Sequence, residues 1–266
     1  MLRNYFGHKF IKPLPFSQSF LKKLSSEPKL LESAFIDAEN EGRVVNHEES
    51  VHLVLGPTPA GQMAWWKHYT IPPRRRLVAR FARPRARREF AALHAFEQAD
   101  LPVVSALAWC KMPGGGSLLV TEDIPGVADL FETIVRHPES DHTSLLQAIG
   151  RLAREIHDSG FGHFRMLLRN FLAKPGGVVA LDLPYCCQWR QVAPARIRRI
   201  DLVDLAGANS GLSQEQAEVV LLAYAQDDAP PLSLEMMRQR RRYPQKWRRI
   251  AYYLLALYTG HRIRTP

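Results

Sequence analysis

His157-Asp158-Ser159-Gly160-Phe161-Gly162-His163-Phe164-Arg165-Met166-Leu167-Leu168-Arg169-Asn170-Phe171-Leu172 runs on through Ala173-Lys174-Pro175-Gly176-Gly177 to Val178-Val179-Ala180-Leu181-Asp182. Two short apolar segments flank Pro-Gly-Gly, the composition of a tight hairpin turn. A hairpin brings its open ends together, so Asn170 and Asp182 become neighbours in space although 12 positions separate them in sequence. One amide oxygen and one carboxylate at such a mouth suit a hard cation such as Mg²⁺, which takes oxygen ligands and keeps waters for a substrate.

Upstream of this stretch the pattern is helical. Leu145, Ile149, Leu152, Ala153 and Ile156 fall on one face of a helix expected from about Ser144 to Asp158, with Gly160 ending it. Further toward the N-terminus the chain reads as strands. Val51, Leu53 and Leu55 alternate with more polar positions, Gly56 to Gly61 turns, and Met63 to Lys67 returns as a second strand. A helix opens at Pro84 and runs to about Gln98. In it Glu89, Leu93 and Phe96 share a face, which places a carboxylate among core residues: either the helix slides past a polar neighbour, or the carboxylate has a cationic partner inside. Leu118-Leu119-Val120 is a short strand, with Thr121 to Gly126 as its connector. The C-terminal part reads as helices around Asp201–Ala206, Gln214–Tyr224 and Trp247–Tyr258. Strands first and helices later give an α+β fold in two lobes.

Composition narrows the classes. With 46% apolar and 23% charged residues the chain is globular rather than disordered. No apolar run approaches the ~20 residues that span a bilayer, and the N-terminus has no signal-peptide pattern. Cys110, Cys186 and Cys187 are odd in number and lack zinc-site spacing, which points to a reducing compartment. The net charge of +10 gathers at Arg74–Arg76, Arg80–Arg88, Arg196–Arg199, Arg238–Arg242 and Lys246–Arg249. Anionic headgroups, phosphorylated sugars and nucleic acid are all attracted by such charge. Without a nucleic-acid-binding signature, nucleic acid is the weaker partner. Solvated helix faces explain each cluster equally well.

A helix ending in His-x-x-Gly, then His163 with Asn170 seven residues on, then a hairpin ending in Asp182, resembles the catalytic loop of protein kinases, and most closely that of the lipopolysaccharide kinase (Kdo/WaaP) family. Arg87-Arg88-Glu89-Phe90, Val120-Thr121-Glu122-Asp123 and Arg198-Arg199-Ile200-Asp201-Leu202 extend the resemblance to roughly residues 60–225. It implies a two-lobed protein-kinase-like fold, with a β-rich N-lobe over 31–120, a helical C-lobe over 121–266 and an extension over 1–30. It implies ATP and Mg²⁺ as cofactors. Lys67 resembles the strand lysine that holds nucleotide phosphates, and Glu89 its helix partner. Asn170 and Asp182 resemble the metal ligands, and Glu122 and Asp123 lie near the hinge that meets adenine through backbone groups. An ordinary strand lysine is the plainer reading of Lys67, and a structural loop residue that of His163. Arg198 and Arg199 read as surface or loop-bracing residues.

Two departures stand out. Active members resembling this chain place an aspartate two residues after the loop histidine, where this chain has Arg165. A guanidinium cannot accept the proton of an attacking hydroxyl, and a positioned base contributes ~10²–10⁴-fold. No glycine-rich phosphate loop is evident either. Gly42 alone precedes the hairpin, and Gly56 and Gly61 read as turn residues. The first expectation is therefore an impaired kinase or pseudokinase of lipopolysaccharide core sugars (heptose or Kdo), with Arg165 and His163 at the catalytic positions. The second is an active core kinase using a metal at Asn170 and Asp182. The third is a non-enzymatic basic binding module. The partners implied are an anionic glycolipid or core sugar, a protein partner and the inner-membrane surface of a bacterial cytoplasm.

Overall fold

The structure, a computed structural model, describes residues 27–48, 50–73, 76–112 and 115–226. Residues 1–26 of the expected extension lie outside the described residues. So do Arg74, Arg75, the clusters Arg238–Arg242 and Lys246–Arg249, and the helix expected over Trp247–Tyr258.

The first element is a helix that no sequence pattern singled out. Helix α1 (Pro28–Glu41) starts on a proline, whose fixed φ suits the first turn. Leu31, Ala34, Phe35 and Ala38 make its buried stripe. The stripe lies on a five-stranded antiparallel sheet in the order β1-β2-β3-β5-β4. These strands are β1 (Arg43–Glu48), β2 (Val51–Pro57), β3 (Met63–Tyr69), β4 (Ala106–Lys111) and β5 (Ser117–Glu122). Val54, Trp66, Leu118 and Val120 form one core with the α1 stripe. The alternation in β2 therefore runs opposite to expectation: His52 and Val54 are buried, while Val51, Leu53 and Leu55 are half-buried. The cause is α1, which covers the face holding the even-numbered residues.

Gly56 also has a different role from the turn residue expected. It lies within β2, where an added Cβ would come 2.5 Å from the Ala38 carbonyl oxygen, so the glycine lets α1 approach the strand. Gly61, at φ +76°, does turn the chain between β2 and β3.

The short helix α2 (Arg76–Phe81) leads into α3 (Arg85–Gln98), the helix expected from Pro84. Leu93 and Phe96 of α3 join Tyr69 and Leu119 in the larger core. That core continues into the second lobe. After β6 (Ala128–Asp129) comes α4 (Thr143–Asp158), whose Leu146, Ile149, Leu152, Ala153 and Ile156 are buried. The strand pair β7 (Phe161–Gly162) and β10 (Cys187–Gln188) and the sheet β6-β8-β9 follow, with β8 at Phe171–Lys174 and β9 at Gly177–Ala180. Lys174 pairs with Gly177, so Pro175 and Gly176 form the two-residue turn of the expected hairpin. Helices α5 (Ala195–Ala206) and α6 (Gln214–Ala225) complete the lobe. A Cβ on Gly150 would sit 2.4 Å from the Val220 carbonyl oxygen, so α4 and α6 meet backbone to backbone there.

Two hydrogen bonds tie the lobes near the cleft. Val104 N–H donates to Ala180 O at 3.1 Å, and Ala180 N–H to Pro102 O at 3.0 Å. The three cysteines are buried free thiols. Among the described residues no helix is long and apolar enough to cross a membrane.

Candidate functional site

Strand β3 carries Lys67 toward α3, and the helix presents Glu89 in return. Lys67 Nζ lies 2.7 Å from Glu89 Oε1, and the carboxylate is 0% exposed. Burial alone would lower the Lys67 pKa, but Glu89 and Asp182 overcome it and hold the ammonium above its usual range. Tyr69, two residues along the strand, donates its hydroxyl to the other oxygen of Glu89. A buried carboxylate is thus satisfied on both oxygens, the condition under which burying it is tolerable.

Asp182 follows β9 at φ +57°, a left-handed conformation that aspartate tolerates better than most residues. The Leu181 N–H donates to Asn170 O at 3.0 Å, fixing the segment after β9 to the start of the hairpin. Asp182 Oδ1 lies 3.6 Å from Lys67 Nζ, and Oδ2 lies 3.9 Å from Arg165 Nη1. Burial pushes the Asp182 carboxyl up, but Lys67, Arg85 and Arg165 together pull it down to about 2. Asn170 Nδ2 donates to the Arg165 carbonyl at 2.8 Å. Glu89, Lys67, Asp182, Arg165 and Asn170 therefore form one connected chain of contacts.

His163 stands apart from that chain. Its ring is fully buried 5.5 Å from the Phe171 ring, and among the described residues neither nitrogen has a hydrogen-bond partner. Burial holds its pKa below the usual value. Its backbone does more: the His163 N–H donates to Asp201 Oδ2 at 2.8 Å, and the Phe164 N–H to Asp201 Oδ1 at 2.6 Å. His157 Nε2 is 3.2 Å from the same Oδ2. Asp201 thus grips the loop, including Phe164 at the strained φ of +62°. The sequence signal for this role was an acidic residue between Ile200 and Leu202, where the helix faces the core.

Next to Lys67 opens a pocket of about 380 Å³. Leu53, Val104, Leu172 and Leu181 supply apolar walls, and Lys67, Glu122, Asp123, Asp129 and Arg169 polar ones. An apolar slot edged by a few polar groups is a common form of small-molecule site. The side chains of Glu122 and Asp123 are already engaged. Glu122 Oε1 accepts the Ser105 N–H at 2.7 Å, and Asp123 Oδ1 accepts the Trp65 indole N–H at 2.9 Å. The Glu122 N–H donates to Ser105 O, so it is not available to a bound base. Leu172 and Leu181 line the pocket, while Tyr69 lies on Glu89 and Arg85 acts on Asp182; none of the four carries a mark of this in the sequence. Leucines on a hairpin and a tyrosine at a strand end give no local signal of such a role.

Residues 63–224 match the model of the lipopolysaccharide kinase (Kdo/WaaP) family. The solved structure described as WaaP in complex with acyl carrier protein is similar at a TM-score of 0.56 and 19% identity, covering 92% of this chain and 97% of that one. At that identity the likeness speaks for the fold alone. No curated protein sequence matches the chain.

Kinase chemistry implies a divalent cation, and the donor set here suits one poorly. Asn170 offers its amide oxygen, since its nitrogen is held by the Arg165 carbonyl. Asp182 is the sole carboxylate in the chain of contacts besides Glu89, and each of its oxygens already faces a cation. Two unit charges ~4 Å apart interact by about 4 kcal/mol at an effective dielectric of ~20, and a dication doubles the repulsion from Arg165.

Proposed function

Since the chain belongs to the lipopolysaccharide kinase (Kdo/WaaP) family, we propose that it binds a nucleotide in the cleft between its lobes but transfers phosphoryl groups to lipopolysaccharide core sugars very slowly or not at all. The observation that supports this is Arg165, which stands two residues after His163 and pairs with Asp182. Phosphoryl transfer demands positioning and charge neutralisation more than covalent help. A site without a base can therefore still bind its donor. In this reading Leu53, Val104, Leu172 and Leu181 sandwich a base, and Lys67, oriented by Glu89, meets the phosphates. The lobe boundary falls near residues 120–121, with the pocket at its edge.

The natural acceptor is a heptose or Kdo of the core. The basic surplus of the chain suits an anionic glycolipid at a membrane surface. From the complex of WaaP with acyl carrier protein we carry over the expectation of a protein partner, tested by co-purification with that carrier.

Incubation of the full chain with labelled ATP and core oligosaccharide tests the central claim. The expected result is negligible label on the sugar and a gain of ~10²–10⁴-fold in Arg165→Asp, the range a positioned base contributes. Transfer by the unaltered chain at ordinary kinase rates would overturn the reading.

A further inference from the structure

We propose that the cleft binds a nucleoside triphosphate without a divalent metal ion, the guanidinium of Arg165 supplying the charge that such an ion would bring. This rests on the nucleotide-binding reading above and deepens it.

The placement of Arg165 is the first support. Its Nη1 lies 3.9 Å from Asp182 Oδ2, while Lys67 Nζ lies 3.6 Å from Oδ1. A dication entering here must displace Arg165 from the carboxylate or sit beside a fixed positive charge. The side chain of Arg165 is 26% exposed, so it is not wholly enclosed by its contact with Asp182, whose other oxygen faces Lys67 in the wall of the pocket. Its backbone is anchored as well, through the Asn170 amide on its carbonyl.

The local charge balance points the same way. Lys67, Arg85 and Arg165 act on Asp182 as three cations, against the two carboxylates Asp182 and Glu89. With an aspartate at position 165 the balance would be two cations against three carboxylates. The replacement adds two positive units, the charge of a divalent ion. A triphosphate finds its counter-charge already attached to the protein. A guanidinium also presents forked N–H donors that match phosphate oxygens.

Titration calorimetry and thermal shift on the full chain decide the matter, using ATP with excess Mg²⁺ or with EDTA, and adenosine as a probe of the base pocket. ATP affinity is expected to differ by less than about threefold between the two conditions, with Arg165→Ala losing at least about tenfold in EDTA and Arg165→Lys, which keeps the charge but not the fork, losing less than Arg165→Ala. Adenosine binding should be unchanged in both variants. ATP binding that vanishes in EDTA overturns the inference and leaves the nucleotide-binding reading intact. No response to ATP or adenosine in either condition overturns both. If Arg165→Ala does not fold, the metal dependence of the unaltered chain and of Arg165→Lys still separates these outcomes.

Discussion

Lys67 and Glu89 meet at 2.7 Å across the gap between strand β3 and helix α3, with the carboxylate wholly buried. The pair orients the lysine and also fastens the helix to the sheet. Removing one partner strands a charge in the core, which costs ~3–5 kcal/mol for a buried pair. Glu89→Ala is therefore expected to lower unfolding free energy by about that amount, measured by urea denaturation, and to weaken nucleotide binding. The double variant Lys67→Met with Glu89→Leu should recover much of the stability and none of the binding. A stable Glu89→Ala protein would show that the pair is not buried as described.

Asp201 is expected to act on the loop rather than on substrate. Its two oxygens take the N–H groups of His163 and Phe164, and its charge faces His157. A buried donor left unsatisfied costs ~1–3 kcal/mol. Asp201→Ala strands two such donors and should destabilise the protein by about 2–6 kcal/mol on that basis. Hydrogen exchange is the sharper measurement. The amides of residues 163 and 164 should lose protection far more than those of α4 or α6, and a uniform loss across the lobe would refute the local role.

Much of the site could be read in the sequence because its pieces carry local signals. Pro175-Gly176-Gly177 announces a hairpin, and the hairpin alone brings the segments holding Asn170 and Asp182 together. Glu89 declared itself by sitting on an apolar helical face. The missing parts depend on tertiary packing. Helix α1 covers the sheet through contacts no local pattern reveals, and it reverses the buried face of β2. The grip of Asp201 spans 38 residues to His163. Leu172 and Leu181 line the pocket because of where the hairpin lies, not because of any distinctive neighbour.

Gly150 tests the joint between α4 and α6. An added methyl would come 2.4 Å from the Val220 carbonyl oxygen and 2.8 Å from Ala223 Cβ, closer than packed atoms tolerate. In an exposed helix Gly→Ala stabilises by roughly 0.5–1 kcal/mol. Here the helices must separate instead, and overpacking of this kind costs ~1–3 kcal/mol. Gly150→Ala should therefore lower the melting temperature. A rise would mean that the two helices are not in backbone contact.

The buried ring of His163 makes stability depend on pH in a defined direction. Burial lowers its folded-state pKa below the ordinary 6.5, with Asp201 and Asp182 offsetting part of the shift. Below pH ~6.5 the unfolded chain binds a proton at this histidine that the folded chain does not yet accept. The unfolded state then gains with acidity, so stability falls as pH drops from ~6.5 toward the folded-state value, by at most about 1.4 kcal/mol per pH unit from this group. His163→Phe keeps an aromatic ring against Phe171 and removes the proton site. Subtracting its denaturation free energies from those of the unaltered chain between pH ~7.5 and ~5 isolates this contribution from other groups, His68 among them, whose pKa burial also lowers. The difference should be flat above pH ~7 and slope below it. A flat difference throughout would mean that the ring titrates as it does in water, and is open to solvent.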